Sequence, residues 1–222
     1  WLAVKAGWLL LAAAVCGGAV SALVTWWSGP KNALYLNIFS AGFDYMGLTP
    51  AAYAVFAVAL GIAVGVMLRR TLPTLAVTLA GFIGIRLLIS DYARKHYMRP
   101  VTRHFDLLGG FSPPGSYWQF ERGITGPDGL VSQNFYGATV NGVPIAALPE
   151  RCQRFIDLGG GVTKDNLRAA GACVREAGYR GYLTYQPASR FWIFQGIEAG
   201  IFVLLAAALI ALAFWIIRRR DA

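Results

Sequence analysis

Residues 191–220 read FWIFQGIEAGIFVLLAAALIALAFWIIRRR. The run is almost wholly apolar, yet it holds Glu198 near one end and stops on Arg218, Arg219 and Arg220. About 20 apolar residues suffice to cross the hydrocarbon of a bilayer. Aromatic residues at both ends, Phe191, Trp192 and Phe194 against Phe214 and Trp215, occupy the places where interfacial belts belong. The run therefore predicts a transmembrane helix, and it raises two questions: what a carboxylate does near its mouth, and which side its arginines mark.

Working back along the chain, three more stretches have the same character. The first covers about 4–27 and ends in Trp26-Trp27 before the breakers Ser28-Gly29-Pro30. The second, 51–68, is opened by Thr49-Pro50 and closed by Arg69-Arg70. The third, 75–90, follows a link containing Thr71 and Pro73 and is interrupted by Arg86. With 56% hydrophobic and only 14% charged residues among 222, the composition fits an integral membrane protein, since soluble domains carry nearer a quarter charged residues. The net charge of +9 then reflects basic residues flanking spans, and a nucleic-acid partner is not expected. The chain opens on Trp1 without a basic n-region or a small-residue cleavage site. That pattern is not a signal peptide, and further chain is expected upstream.

Short basic loops favour the cytoplasmic face. Placing Arg69-Arg70 and Arg218–Arg220 there requires four crossings, with both termini cytoplasmic and the polar stretch 91–190 outside. The expected architecture is an all-α polytopic bundle of about four transmembrane helices in a cell membrane. A small α+β extracytoplasmic domain at 91–190 precedes the last helix and its basic tail at 191–222.

Within the polar stretch, YGATVNGVPI places Asn141-Gly142 between two β-prone runs, a strong hairpin signal. LPERCQRFIDLGGG predicts a short helix stopped by Gly159–Gly161. VTKDNLRAAGACVREAGY predicts a second, capped by Thr163 or Asp165, with Gly178 at C′. GYLTYQP reads as a final strand. Cys152 and Cys173 fall on the two helices, in a compartment where disulfides persist. A bridge between them closes a loop worth typically about 2–4 kcal/mol.

Catalytic chemistry is not expected. GGGVTKDN lacks the phosphate-loop spacing G-x-x-x-x-G-K-[ST]. His96 and His104 have no Cys or acidic partner at metal-ligand spacing, so neither a metal nor another cofactor is assigned. Arg86 and Glu198 lie at similar depth near the outer ends of the third and fourth spans. Two readings stand side by side. Arg86 reaches the outer headgroups while Glu198 bonds locally, or the two pair and close the outer mouth of a pathway. Gly61/Gly65 and Gly196/Gly200 form two G-x-x-x-G steps, expected to serve close helix packing within one bundle.

The runs WLAVKAGWLLLAAAVCGGAVSALVTWW, FDYMGLTPAAYAVFAVALGIAVGVMLRRTLPTLAVTLAGFIGIRL and GYLTYQPASRFWIFQGIEAGIFVLLAAALIALAFWIIRRR resemble permease subunits of ABC-2 type ABC transporters, particularly actinobacterial ones. The most specific pieces are Phe43-Asp44, the link Arg69-Arg70-Thr71 with Pro73, and TYQPASRFW. Such permeases typically have about six spans, with a large outer loop before the last, and this chain resembles the final four. The resemblance implies a translocation pathway for export of a small molecule, drug or lipid. It also implies a second permease half, homologous or identical, and an ATP-binding cassette ATPase on the cytoplasmic face. The Arg69-Arg70-Thr71 link is a candidate ATPase contact, against the simpler reading that its arginines set topology. The competing class is a membrane anchor or sensor whose outer domain binds a ligand.

Overall fold

The computed structural model describes residues 2–34, 39, 42–109, 111–133, 139–140, 143–156 and 163–221. The chain divides into two compact units, Trp1–Arg99 with Ser189–Ala222, and Pro100–Ala188. Among the described residues, four helices are long and apolar enough to cross a membrane: Ala3–Ser28, Thr49–Leu68, Thr71–His96 and Ala188–Arg219.

The first unit is built from α1 (Leu2–Leu34), α2 (Thr49–Leu68), α3 (Thr71–Leu88) and α6 (Phe191–Asp221). The hub is α2, which packs against each of the other three. Its buried positions Ala52, Tyr53, Phe56, Ala59, Leu60 and Val64 recur at helical spacing and meet Phe202 and Ala206 of α6. Small residues let the backbones approach. A Cβ added to Gly17 of α1 would stand 2.9 Å from both the Ala51 Cα and the Pro50 carbonyl oxygen. Ala6 of α1, Val66 of α2 and Ala213 of α6 line one small cavity, so the first residues of α1 and the last of α2 and α6 share an end of the bundle.

Two helix boundaries differ from those read in the sequence. Helix α1 continues through Ser28-Gly29-Pro30 to Leu34. Proline forfeits one backbone bond there, but its fixed φ of about −65° is compatible with helical backbone, so the helix can continue past it. The third span begins at Thr71 and does not stop at Ser90. A π turn over Ile89–Ala93 and a 3₁₀ turn over Arg94–His96 extend it, so 91–96 belong to the helix rather than to the polar domain. At the opposite end of the α2–α3 hairpin, Arg69 closes α2 at φ +51°, its N–H bonded to the Gly65 carbonyl at 3.0 Å. It is the one non-glycine residue with positive φ among those described. The left-handed conformation costs an L-residue roughly 1–2 kcal/mol and is usually left to glycine.

The second unit has a four-stranded antiparallel sheet, ordered β1 (Val101–Phe105), β6 (Arg180–Pro187), β2 (Tyr117–Gly126), β3 (Gly129–Gln133). The strand GYLTYQP is thus central, with Leu183 opposite Arg103 on one side and Arg122 on the other. Two short strands, β4 (Thr139–Val140) and β5 (Val143–Pro144), pair antiparallel. The Asn141-Gly142 turn joining them, like the Gly159–Gly161 stop, lies outside the described residues.

Helix α4 (Glu150–Gln153) and helix α5 (Lys164–Glu176) contribute Cys152, Ala170 and Val174 to a core with Leu107, Leu108 and Ile124. Thr163 caps α5 by accepting from the Asn166 N–H at 3.2 Å, and Gly178 takes positive φ at C′. Cys152 and Cys173 are disulfide-bonded, with Cα atoms 5.7 Å apart.

The Gly17 contact makes a matched pair of substitutions informative. Gly17→Val is expected to lower the unfolding free energy in detergent micelles by about 1–3 kcal/mol through overpacking. Gly18→Val points a side chain where nothing lies within 4 Å, and is expected to change it by less than about 0.5 kcal/mol. Equal losses from the two would contradict the α1–α2 contact.

Candidate functional site: a buried ionic cluster in the helix bundle

The start of α2, the last turns of the third span and the start of α6 meet at the end of the bundle opposite the 69–70 link. There, Glu198 and Arg94 are almost fully buried, at 1% and 5% exposure. Arg94 donates to Glu198 through two nitrogens, Nε to Oε2 at 2.8 Å and Nη2 to Oε1 at 2.6 Å. Its Nη2 also reaches Asp44 Oδ1 at 2.6 Å. The guanidinium lies 4.1 Å from the centroid of the Phe43 ring. Arg86 pairs with the other oxygen of Asp44, Oδ2, at 3.1 Å, and stacks over Tyr53.

Two cations and two anions therefore form one neutral cluster, continuous from Arg86 through Asp44 and Arg94 to Glu198. Two phenols complete it. The Tyr53 hydroxyl donates to Glu198 Oε1 at 2.5 Å and is 3.1 Å from Asp44 Oδ1. The Tyr97 hydroxyl donates to Glu198 Oε2 at 3.3 Å. Burial, followed by the Glu198 charge, pushes the Tyr97 phenol up from its ordinary range, so it stays a neutral donor.

The π turn explains how Arg94 reaches this cluster. At 100° per residue, the eight steps from Arg86 to Arg94 overshoot two full turns by about 80°. The wider turn at Ile89–Ala93 winds less per residue and returns Arg94 to the Arg86 face, so both arginines bond Asp44.

Asp44 is placed from the other side, by the loop that enters α2. Gln195 of α6 accepts from the N–H groups of Leu48 and Thr49, each at 3.0 Å, and donates to the Phe43 carbonyl at 2.8 Å. No side chain of its own caps α2, so Gln195 satisfies two of its orphan donors across the bundle. Gly47 makes room: at φ +73°, an added Cβ would lie 2.8 Å from Gln195 Oε1. Ser21 of α1 donates to the Gly47 carbonyl at 2.6 Å. Phe39, Phe43, Phe191 and Phe194 pack edge-on around the loop. Arg190 donates to the Arg99 carbonyl at 2.7 Å, joining the points where the chain leaves and re-enters the bundle.

Of the residues singled out in the sequence, Arg86 and Glu198 both belong to the cluster but do not pair directly. Glu198 takes Arg94, two turns further along the third span than Arg86, and Arg86 takes Asp44. Gly61 and Gly65 face Thr78 and Thr74 of α3, at 3.8 and 3.7 Å from an added Cβ. Gly196 and Gly200 meet nothing within 4 Å, and this corrects the expectation that they pack within the bundle. They lie on the exposed side of α6, because Gln195, Glu198 and Phe202 take its inner face. Arg69, Arg70 and Thr71 are exposed at the far link.

Asp44, Tyr53, Arg94, Tyr97 and Gln195 are cluster residues that sequence reasoning did not assign. The available signal was charge balance: Arg86 and Glu198 each lie in an apolar setting and call for opposite charges, but sequence distance points to Asp91 and Arg190 rather than to Asp44 and Arg94.

Residues 1–94 match the family described as ABC-2 membrane transporter related. No curated protein and no solved structure matches the chain. The matched segment holds Asp44, Tyr53, Arg86 and Arg94, while Glu198 and Gln195 lie beyond it.

Two substitutions separate the loop's support from the ion pairs. Gln195→Leu, which strands the Leu48 and Thr49 N–H groups, is expected to destabilise the bundle by about 1–3 kcal/mol. Tyr53→Phe removes one neutral donor and is expected to cost about 1 kcal/mol. Unfolding free energies in micelles check both, and a neutral Gln195→Leu would remove its capping role.

Proposed function

We propose that this chain, whose residues 1–94 match the ABC-2 membrane transporter related family, is a membrane-spanning permease portion of an ABC transporter. In this reading it forms part of the pathway for ATP-driven export of a small molecule, drug or lipid. The family match over the first three spans is the observation that carries it. A separate ATP-binding subunit hydrolyses nucleotide on the cytoplasmic side, and a second permease half completes the pathway. Both termini and the 69–70 link face that side, by the bias of short basic loops, and residues 100–188 lie outside.

The ionic cluster then sits toward the outer face. Arg86 and Glu198 act there as the two ends of a latch whose middle is Asp44 and Arg94. Opening an outer mouth would require exchanging these short charged contacts for water or substrate, which makes them a candidate for the step that sets transport rate. The latch assignment is supported by the cluster's position where three helices begin or end, since that is where a small tilt separates partners most.

A second reading, a membrane anchor or sensor with a ligand-binding outer domain, is favoured by one observation. In the 100–188 unit a cavity of about 400 Å³ lies between Leu108 and α5, bordered by Asp106, Arg168 and Arg175.

Affinity purification of the full-length protein from its native membranes distinguishes the two. An ATP-binding cassette subunit is expected to co-purify, with ATP hydrolysis that responds to candidate export substrates. Recovery of the chain without any ATPase would favour the anchor.

A further inference from the structure

The groove between α2 and α3 at the 69–70 link uses chemistry that neither the core nor the ionic cluster needs. Gly61 and Gly65 leave a gap against Thr74 and Thr78, and a cavity of about 400 Å³ opens there. Its walls are glycine backbone, threonine methyl groups and Leu75, with Arg69 and Arg70 at its rim.

Two observations show that the groove is unfinished by the protein itself. Arg69 and Arg70 are exposed, and neither pairs with a carboxylate among the described residues. No side chain caps the N-terminus of α3, which adds its positive end to the two guanidinium groups. Arg69 also occupies a left-handed position that glycine would fill without strain. An arginine side chain is held at this rim despite its backbone.

We propose that this groove binds one anionic phospholipid. Its phosphate sits against Arg69 and Arg70, and one acyl chain lies along the Gly61/Gly65 and Thr74/Thr78 walls. Charge complementarity selects the anionic headgroup, because two unpaired arginines beside a helix N-terminus attract a phosphate more strongly than a neutral group. The apolar walls select a lipid over a free anion, which would leave the groove empty below its rim. Leu72 and Leu75 beside it are exposed, so in a bilayer the groove is within reach of acyl chains. The inference rests on the chain crossing a bilayer, and not on the transport reading or on which leaflet the link faces.

The test uses the purified full chain in detergent, with phosphatidylglycerol or phosphatidylcholine added and retention read by native mass spectrometry. One phosphatidylglycerol per chain is expected, retained roughly tenfold or more over phosphatidylcholine. Arg69→Gln with Arg70→Gln is expected to abolish that preference. Gly65→Leu, which keeps both arginines but fills the groove, is expected to reduce retention of the lipid. Equal retention of the two lipids, or retention unchanged in both variants, would overturn the proposal. Thermal stabilisation by inorganic phosphate equal to that by phosphatidylglycerol would assign the rim to a free anion instead. Loss of a co-purifying ATPase from the arginine variant, with lipid retention intact, would assign the link to that subunit.

Discussion

Charge inside hydrocarbon must be answered by charge, and this requirement organises the membrane unit. A single Arg or Glu at the centre of a span costs about 2.5–3.5 kcal/mol on insertion scales. Removing one partner from a buried pair leaves the other uncompensated, typically at a cost of about 3–5 kcal/mol. The structure meets the constraint with a closed set, Asp44, Arg86, Arg94 and Glu198, whose contacts run from 2.6 to 3.1 Å. Three separate backbone segments, the loop before α2, the third span and α6, must be in place for that set to close.

Several local features follow from the need to deliver those side chains. The third span runs past its apolar stretch, and the π turn at Ile89–Ala93 rotates Arg94 inward. The loop before α2 turns tightly at Gly47 so that Gln195 can reach the α2 N-terminus and hold the Phe43 carbonyl. Asp44, the next residue, is thereby fixed. Gly17 lets α1 approach α2 closely enough for Ser21 to bond the same loop. The disulfide, by contrast, belongs to the other unit and carries no part of this arrangement.

The spans were legible in the sequence because hydrophobic length is a property of each segment alone, and the α5 cap and the central strand GYLTYQP were legible for the same reason. The cluster was only half legible. Arg86 and Glu198 stood out as charges in apolar runs, but their partners did not. Arg94 lies within a polar-looking SDYARKH stretch that reads as the end of a span, and only the π turn carries it inside. Asp44 sits in a loop with no periodicity to place it. Gln195 looks like one polar residue in a spanning helix, and its role appears only when the start of another helix is brought against it. Helix α1 runs past Pro30 because proline removes one backbone bond without forbidding helical φ, so a Ser-Gly-Pro run does not by itself fix where a helix ends.

The most direct measurement is a double-mutant cycle on Arg94 and Glu198, using Arg94→Met and Glu198→Leu, with unfolding free energies read in micelles or bicelles. If the two side chains are a closed buried pair, each single change is strongly destabilising. The double change then costs less than the sum of the singles, with a coupling of about 2 kcal/mol or more. Additive losses within about 0.5 kcal/mol would contradict the central place given to this ion pair.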